Sequence, residues 1–550
     1  MSIKVPIGIE SFDKLRSENY YYIDKTGFIE ELLQKSFEVN LITRPRRFGK
    51  TLTMSMLASF FDVRTDSSQL FSELKISENT ELCQLWQNQW PVISLTWKSV
   101  EGLSFDDAYA MLSAAVSDLC ITHYYLLNSE NVNIVDKTVF ERLSQKTATR
   151  EEVKNSLHTI MRMMRAHFGK PVILLLDEYD VPLAKASEMG YYEQMLDIVR
   201  GILGKALKTN EFLKFAVVTG CLRIAQESIF TGTNNFVADT ISDERFSEYL
   251  GFTESEVKCL LADMGFSDHA EEMKQWYDGY RFGSIEIYCP WDVLNHVNRL
   301  QDTPNARPEN YWRNTSHNAI IRSFMNRTDL AVNEKFECLL AGGCIREKIC
   351  ENLTYDTLHA SESNLWSILY LTGYLTLAET SRINHDVFLK IPNQEIRSIF
   401  ADTVVAWFCD KVSAMDRSEL FAAFWQGDER ALTEQLSELL FDTISYHDYQ
   451  ESYYHAFVAG LFAGAGYVVE SNYEYGLGRP DLVIKDRENR RVIMIEMKHS
   501  KNEQQMAEDC RKAVEQIDVK AYARKVLKGF RTVICFGIAF YEKECLVRKF

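Results

Sequence analysis

Proline is scarce in this chain, with 10 residues in 550. No Pro-rich or Gly/Ser-rich linker, low-complexity tract or internal repeat interrupts it, so its domains are expected to pack directly on one another. Long apolar runs are also missing. None approaches the ~18 residues of a membrane span, and the amino-terminal MSIKVPIGIE has no apolar leader core. The 12 cysteines are scattered with no Cys-x-x-Cys. Cys338, Cys344 and Cys350 lie close together but lack zinc-knuckle spacing, so they read as core or surface thiols. These absences predict a cytoplasmic protein with reduced thiols and no membrane partner. Positive charge is in deficit too. A net charge of −17 excludes a chain that coats nucleic acid or an anionic membrane over its whole surface. The deficit is uneven, because residues 479–550 carry 17 Lys/Arg against 11 Asp/Glu. A local basic face can survive there.

A hydrophobic content of 46% and an aromatic content of 12% are ordinary for globular material. A length of 550 residues is too great for one core, which predicts about three domains. The pattern places them at 1–245, 246–400 and 401–550. The fold class expected is α/β: a phosphate-loop parallel-sheet domain, a mostly helical lid or connector, and a second α/β domain at the carboxyl end.

In the first part, Val39–Thr43 reads as a short strand. It leads through Arg44, Pro45, Arg46, Arg47, Phe48, Gly49, Lys50 and Thr51 into a helical stretch. Strand, loop, Gly-Lys-Thr and helix form a phosphate-loop arrangement, in which backbone N–H groups and the helix amino end hold phosphate oxygens. Lys50 would reach the β and γ phosphates, and Thr51 would hold Mg²⁺. Arg44 stands where the generic motif has its first glycine, so a basic loop before a helix is the alternative. A second segment weighs against that alternative. Val172–Leu176 is a continuous apolar run, suited to a parallel strand buried on both faces, and it ends in Asp177-Glu178-Tyr179-Asp180. Acids at that end lie where open α/β sheets place ligands. Asp177 would hold Mg²⁺ through water and Glu178 would polarise the attacking water. Pro91–Leu95 and Phe215–Gly220 fit the same sheet. Thr219 can sense the γ-phosphate and Arg223 can touch phosphate or a neighbouring domain; a helix cap and a solvated charge are the alternatives.

Near the carboxyl end, Leu482–Ile484 and Val492–Ile495 read as two strands around the polar turn 486–490. Asp481 and Glu496 are equally far from its midpoint, so a hairpin centred there pairs them. Side chains alternate along a strand, so Glu496 and Lys498 share one face. Two carboxylates and an ammonium at one point can hold Mg²⁺ and address a phosphodiester. A surface ion-pair cluster is the alternative, but it would contribute only ~0–1 kcal/mol per pair, and the flanking strands are strongly apolar.

Two resemblances cover these regions. Ile7–Phe12, Tyr22–Thr26, Thr43–Thr51, Leu176–Asp180, Thr219-Gly220 with Asn234-Asn235, Trp276–Gly283 and Pro290-Trp291 resemble the AAA-ATPase-like family, in which an arginine-rich loop replaces the glycine-rich one. Arg44 matches that family. The helix-strand order after residue 430 resembles the PD-(D/E)XK nuclease superfamily. Its motif residues are Asn472-x-Glu474, Gly478-Arg479-x-Asp481, Glu496-x-Lys498 and a helix bearing Gln516 and Tyr522. The second resemblance implies catalytic roles for Asp481, Glu496, Lys498 and Gln516. It also makes Glu451 a candidate metal ligand, with His455 on the next turn, and leaves Tyr522 as a packing residue. Together they imply an ATP- and Mg²⁺-dependent protein in which an ATPase gates cleavage of nucleic acid, with DNA the expected substrate. A homo-oligomer is compatible with this. Genome defence or a mobile element is the setting suggested by analogy. The alternative function is a signalling ATPase whose carboxyl-terminal domain binds nucleic acid or protein without cutting.

Overall fold

The structure is a computed structural model. It describes residues 3–35, 37–223, 236–312, 335–336, 338–340, 342–353, 355, 361–378, 386–400, 418–443, 451–464, 467–471, 481–519 and 530–550. The chain divides into two compact units. One comprises Met1–Ser316 with Arg346–Ile396, and the other His317–Ile345 with Arg397–Phe550.

The first unit is built on a five-stranded sheet. Its strands are β1 (Val39–Thr43), β2 (Val92–Thr96), β3 (Val172–Asp177), β4 (Leu213–Gly220) and β5 (Phe236–Asp239), in the order β2-β3-β4-β1-β5. Every neighbouring pair is parallel. All six residues of β3 are buried, as its unbroken apolar run requires. Alternate side chains feed two cores. Leu174 and Leu176 join Leu41 and Val218 on one face, while Ile173 and Leu175 join Ile42 and Val217 on the other. The first core also takes residues of the helices Phe105–Thr122, Ser156–Phe168 and Tyr192–Leu207. The second takes Met54, Leu57 and Phe60 from the helix Lys50–Phe61.

A capping box follows the first sheet. Thr253 and Glu256 cap the helix Glu254–Met264 reciprocally. Glu256 also receives the ammonium of Lys25 at 2.6 and 2.7 Å, and Lys25 donates to the carbonyl of Glu248 at 2.6 Å. Asp24 accepts from the backbone N–H groups of Thr26 and Lys75. Both residues of the Asp24-Lys25 pair therefore serve packing. The region after residue 246 holds strands as well as helices. β6 (Tyr280–Phe282) and β7 (Ile285–Ile287) form a hairpin, and β8 (Ile345–Lys348), β9 (Thr376–Leu377) and β10 (Asp386–Lys390) form a three-stranded sheet. Tyr277 and Tyr280 are buried, as core rather than as a stacking platform.

The second unit carries a five-stranded sheet in the order β11 (Val468–Ser471), β12 (Leu482–Asp486), β13 (Arg491–His499), β14 (Thr532–Tyr541) and β15 (Glu544–Lys549). β13 and β14 are parallel and the other pairs antiparallel. The sequence reading makes Arg531–Phe540 the last strand. This is corrected by β15, which turns back through Glu542 at φ 52° and pairs with β14. Its polar ends hide a short strand whose Val547 and Cys545 are buried. One face of the sheet, with Leu482, Ile484, Ile493, Ile495 and Met497, packs on the helices Ser418–Gln426, Glu429–Thr443 and Glu451–Gly464. The helix Met506–Val519 packs against β13 and β14. Period-two alternation puts Glu496 and Lys498 on the face opposite Ile495 and Met497.

Candidate nucleotide and nuclease sites

β1 ends at Thr43, and the helix Lys50–Phe61 begins seven residues on. Gly49, at φ 84°, is its N-cap, and no side chain caps that end. The first-turn N–H groups of a helix lack intrahelical partners, and a left-handed glycine lets the loop turn tightly over them. Behind the loop, Thr51 Oγ1 donates to Asp177 Oδ2 at 2.8 Å, and Thr219 Oγ1 donates to Asp177 Oδ1 at 2.5 Å. β4 lies between β1 and β3, which brings Thr219 beside Asp177. Lys50 is buried. Its ammonium donates to the carbonyls of Arg44 and Pro45, at 3.1 Å each, and lies 3.3 Å from Glu178 Oε1.

The electrostatics of this cluster are strongly coupled. Burial by itself pulls the Lys50 ammonium down, but Cys221, Glu178, Asp177 and Asp180 outweigh it and hold the group above its ordinary value. Burial, then the charge of Glu178, pushes both Asp177 and Asp180 up. Arg46 is raised by Cys221, Tyr355, Glu178 and Asp180. The Cys221 thiol is itself pushed to about 11 by burial and is uncharged at neutral pH, so Glu178, Asp177 and Asp180 supply the attraction on Lys50, and Glu178 and Asp180 that on Arg46. Glu178 is held at φ 55°, a conformation that costs a side-chain-bearing residue ~1–3 kcal/mol and that clusters at functional sites. Its buried Oε2 accepts no hydrogen bond among the described residues.

The loop arginines separate into different roles. Arg44 is fully buried and donates to the carbonyls of Thr43, Asp239 and Arg245 at 2.9, 3.0 and 3.1 Å. These bonds tie the loop to the sheet edge. Arg47, at φ 74°, stacks its guanidinium on Trp291 at 4.1 Å. Phe48 is buried against Tyr280 and Phe282. Arg223 follows β4, and its buried Nε finds no acceptor among the described residues. The sequence reading gave Asp180 no role. In the structure it accepts from the N–H groups of Cys221 and Leu222 at 3.0 Å and from the Tyr355 hydroxyl at 3.1 Å. Asn234 and Asn235 lie outside the described residues.

In the second unit, β12 and β13 pair Leu482 with Ile495, the register that sets Asp481 opposite Glu496. Asp481 Oδ2 accepts the N–H of Met497 at 2.7 Å, which holds this carboxylate at the end of the hairpin. Glu496 is buried at 1% exposure, and Lys498 Nζ lies 3.6 Å from its Oε1. Gln516 Nε2 donates to that same oxygen. His455 Nε2 donates to the Asp481 carbonyl at 2.8 Å, anchoring the hairpin end to the helix Glu451–Gly464. The Glu451 side chain, the Asn472-x-Glu474 and Gly478–Pro480 segments, and Tyr522 lie outside the described residues. Gly537 was missed by sequence reasoning. It pairs with Glu496 across β13 and β14. A side chain there would come within 2.7 Å of Val514 Cγ2 and 2.9 Å of the Cys510 carbonyl. The helix can approach closely enough for Gln516 to reach Glu496 only because this position is bare. A lone glycine inside an apolar strand was the available signal.

In comparisons with known proteins, two families match the chain. Residues 6–230 match the AAA-ATPase-like family, described as predicted AAA-ATPase, and residues 449–550 match the PD-(D/E)XK nuclease superfamily. The chain joins an ATPase-like domain to a nuclease-superfamily domain. An "Uncharacterized protein in vnfD 5'region" of Azotobacter chroococcum mcd 1 is 24% identical over 551 residues, covering 98% of this chain and 96% of that protein. The similarity thus runs through the segment between the two matched domains as well. Among the described residues, no helix is long and apolar enough to cross a membrane. The described cysteines are all free thiols.

Proposed function

We propose that this chain is an ATP-regulated, Mg²⁺-dependent nuclease that works in the cytoplasm on nucleic acid, with DNA the favoured substrate. The observation that carries the reading is a buried Glu496 reached by Lys498 and Gln516, with Asp481 set opposite it by the hairpin register. A buried carboxylate with a second one across the hairpin is costly unless a cation offsets it. This donor set suits a hard divalent ion. Asp481 and Glu496 would hold it, and Mg²⁺ bound there supplies charge neutralisation at the scissile phosphate. Lys498 orients the attacking water and lowers the cost of its losing a proton. Gln516 touches Glu496 and acts as a positioning residue, fixing the carboxylate's rotamer.

In the ATPase-like domain, Lys50 addresses the nucleotide phosphates, Thr51 and Asp177 would hold Mg²⁺, and Glu178 polarises the attacking water. The hydrogen bond from Thr219 to Asp177 and those from Cys221 and Leu222 to Asp180 support a gating role. Through them, a change at the nucleotide is felt in the segment that carries Arg223. The setting that such fusions suggest is genome defence or a mobile element.

The deciding experiment incubates the full-length protein with linear, circular and single-stranded DNA and with RNA. Mg²⁺, Mn²⁺ and EDTA are compared, each with and without ATP. Metal-dependent cleavage that responds to ATP is expected. ATP hydrolysis with no cleavage under any condition would replace this reading with that of a signalling ATPase.

A further inference from the structure

Three side chains in the first unit take no part in either site. His269 ends the turn Ser267–His269, Glu272 lies in the first turn of the helix Ala270–Tyr277, and His296 lies in the helix Pro290–Asp302. One ring nitrogen from each histidine and one oxygen of Glu272 all lie within 4.8 Å of one another.

His296 has the most exacting surroundings. It is fully buried, beside Tyr277, and neither Nδ1 nor Nε2 has a hydrogen-bond partner among the described residues. Buried polar groups are nearly always satisfied, so a ring with both nitrogens unmet needs an explanation. His269 is oriented from outside the cluster. Its Nε2 lies 3.0 Å from the carbonyl oxygen of Pro304, which can only accept, so Nε2 carries the hydrogen. In the neutral ring, Nδ1 then presents its lone pair, and it lies 3.2 Å from Glu272 Oε2. A lone pair facing a carboxylate needs a positive charge between them. A proton on His269 meets that need but leaves both nitrogens of His296 unmet, whereas a metal ion answers the lone pair and the carboxylate and also takes up one nitrogen of His296. A ligating histidine held by a carbonyl through its other nitrogen is the usual outer arrangement of metal sites.

We propose that His269, Glu272 and His296 bind a zinc-class divalent ion, with the fourth position open to solvent beside Glu272. Two imidazoles and one carboxylate suit Zn²⁺ and its borderline neighbours better than Mg²⁺. Ligand atoms around tetrahedral Zn²⁺ sit about 3.3 Å apart, so binding would draw the three atoms together by up to about 1.5 Å. Glu272 retains 40% exposure and can move. The ion fastens the helix Ala270–Tyr277 to the helix Pro290–Asp302, which carries Trp291 beneath Arg47 of the nucleotide loop. It is thus a brace for the loop's support and is independent of the nuclease reading.

The test strips the full-length protein with EDTA and titrates it with Co²⁺ and then Zn²⁺, following visible d–d absorption and the melting temperature. Wild type should show tetrahedral Co²⁺ bands without thiolate charge transfer, displacement by Zn²⁺, and a higher melting temperature when loaded. His269→Ala and His296→Leu should lose both responses while keeping the wild-type circular dichroism spectrum. Glu272→Gln should weaken Co²⁺ binding at least about tenfold, as expected for loss of a charged ligand. The proposal is overturned if wild type gives no such bands, or if the three variants respond to metal as wild type does.

Discussion

Lys50 Nζ lies 3.3 Å from Oε1 of Glu178, both groups largely withdrawn from water. The ammonium suited to nucleotide phosphates already meets the carboxylate suited to activating water. Binding of ATP should draw Lys50 toward phosphate and release Glu178 for that task. A charge-assisted hydrogen bond is worth about 1.5–3 kcal/mol, so Lys50→Ala should weaken ATP binding roughly 10- to 100-fold. Glu178→Gln should leave binding within a few-fold and lower hydrolysis by about 10²–10⁴. Calorimetric titration and a phosphate-release assay separate the two. Equal loss of binding in both variants would contradict the division of roles.

The hairpin residues should behave as a separate unit of chemistry. Asp481→Ala and Lys498→Ala are each expected to lower cleavage at least about 10²-fold, the scale of a few kcal/mol of transition-state stabilisation. ATP hydrolysis should stay near wild type in both. Gln516→Ala should slow cleavage less than either. Cleavage that persists in the Asp481 variant would remove the hairpin from the mechanism.

Arg44 should matter for stability before it matters for nucleotide. Its guanidinium serves three backbone carbonyls in a site with no exposure. Arg44→Met should lower stability by about 3 kcal/mol or more, because the buried acceptors lose their donors. Arg44→Lys should not rescue it, since one ammonium cannot reproduce the planar fork. The midpoint of urea unfolding measures this. An unchanged midpoint with lost nucleotide binding would return Arg44 to the phosphate site.

Gly537 allows the helix Met506–Val519 to approach β13 and β14. Gly537→Val should cost about 1–3 kcal/mol through overpacking against Val514 and Cys510. It should also reduce cleavage beyond the loss of folded protein, by moving Gln516 from Glu496. If cleavage per folded molecule stays at the wild-type level, Gln516 has no positioning role.

Asp292 and Glu395 are both fully buried in the first unit. Burial, then the neighbouring Asp292, pushes Glu395 up, and burial likewise pushes Asp292 up. One proton stays on the pair through neutrality. A carboxyl raised in the folded state favours folding below its unfolded value of about 4.3 and withdraws stability as pH climbs toward the folded value. The melting temperature should therefore fall between about pH 5 and pH 9 through this pair. Glu395→Gln keeps an acceptor for the N–H groups of Tyr311 and Trp312 and should flatten that slope. An identical slope in the variant would show that the pair does not titrate as described.

The legible features were local ones. The apolar run of β3, the Gly49-Lys50-Thr51 turn into a helix, the Thr253/Glu256 capping box and the register of Asp481 with Glu496 all follow from period, turn chemistry and counting along the chain. Those are properties of neighbouring residues, so one sequence suffices to see them. The partners of Arg44 were not legible, for the same reason. Its place in the loop pointed to phosphate, while its partners at Asp239 and Arg245 are some 200 residues away.

By itself, the sequence determined that one end offers a phosphate loop and an acidic strand end, and the other a hairpin with two acids and a lysine. The tertiary structure alone decided which of these side chains meet. Inserting β4 between β1 and β3 delivers Thr219 to Asp177, a bare Gly537 lets Gln516 reach Glu496, and two helices bring His296 to His269 and Glu272. Strand order and helix approach depend on packing between distant segments, whose energy is spread over many contacts and leaves no local pattern in the chain.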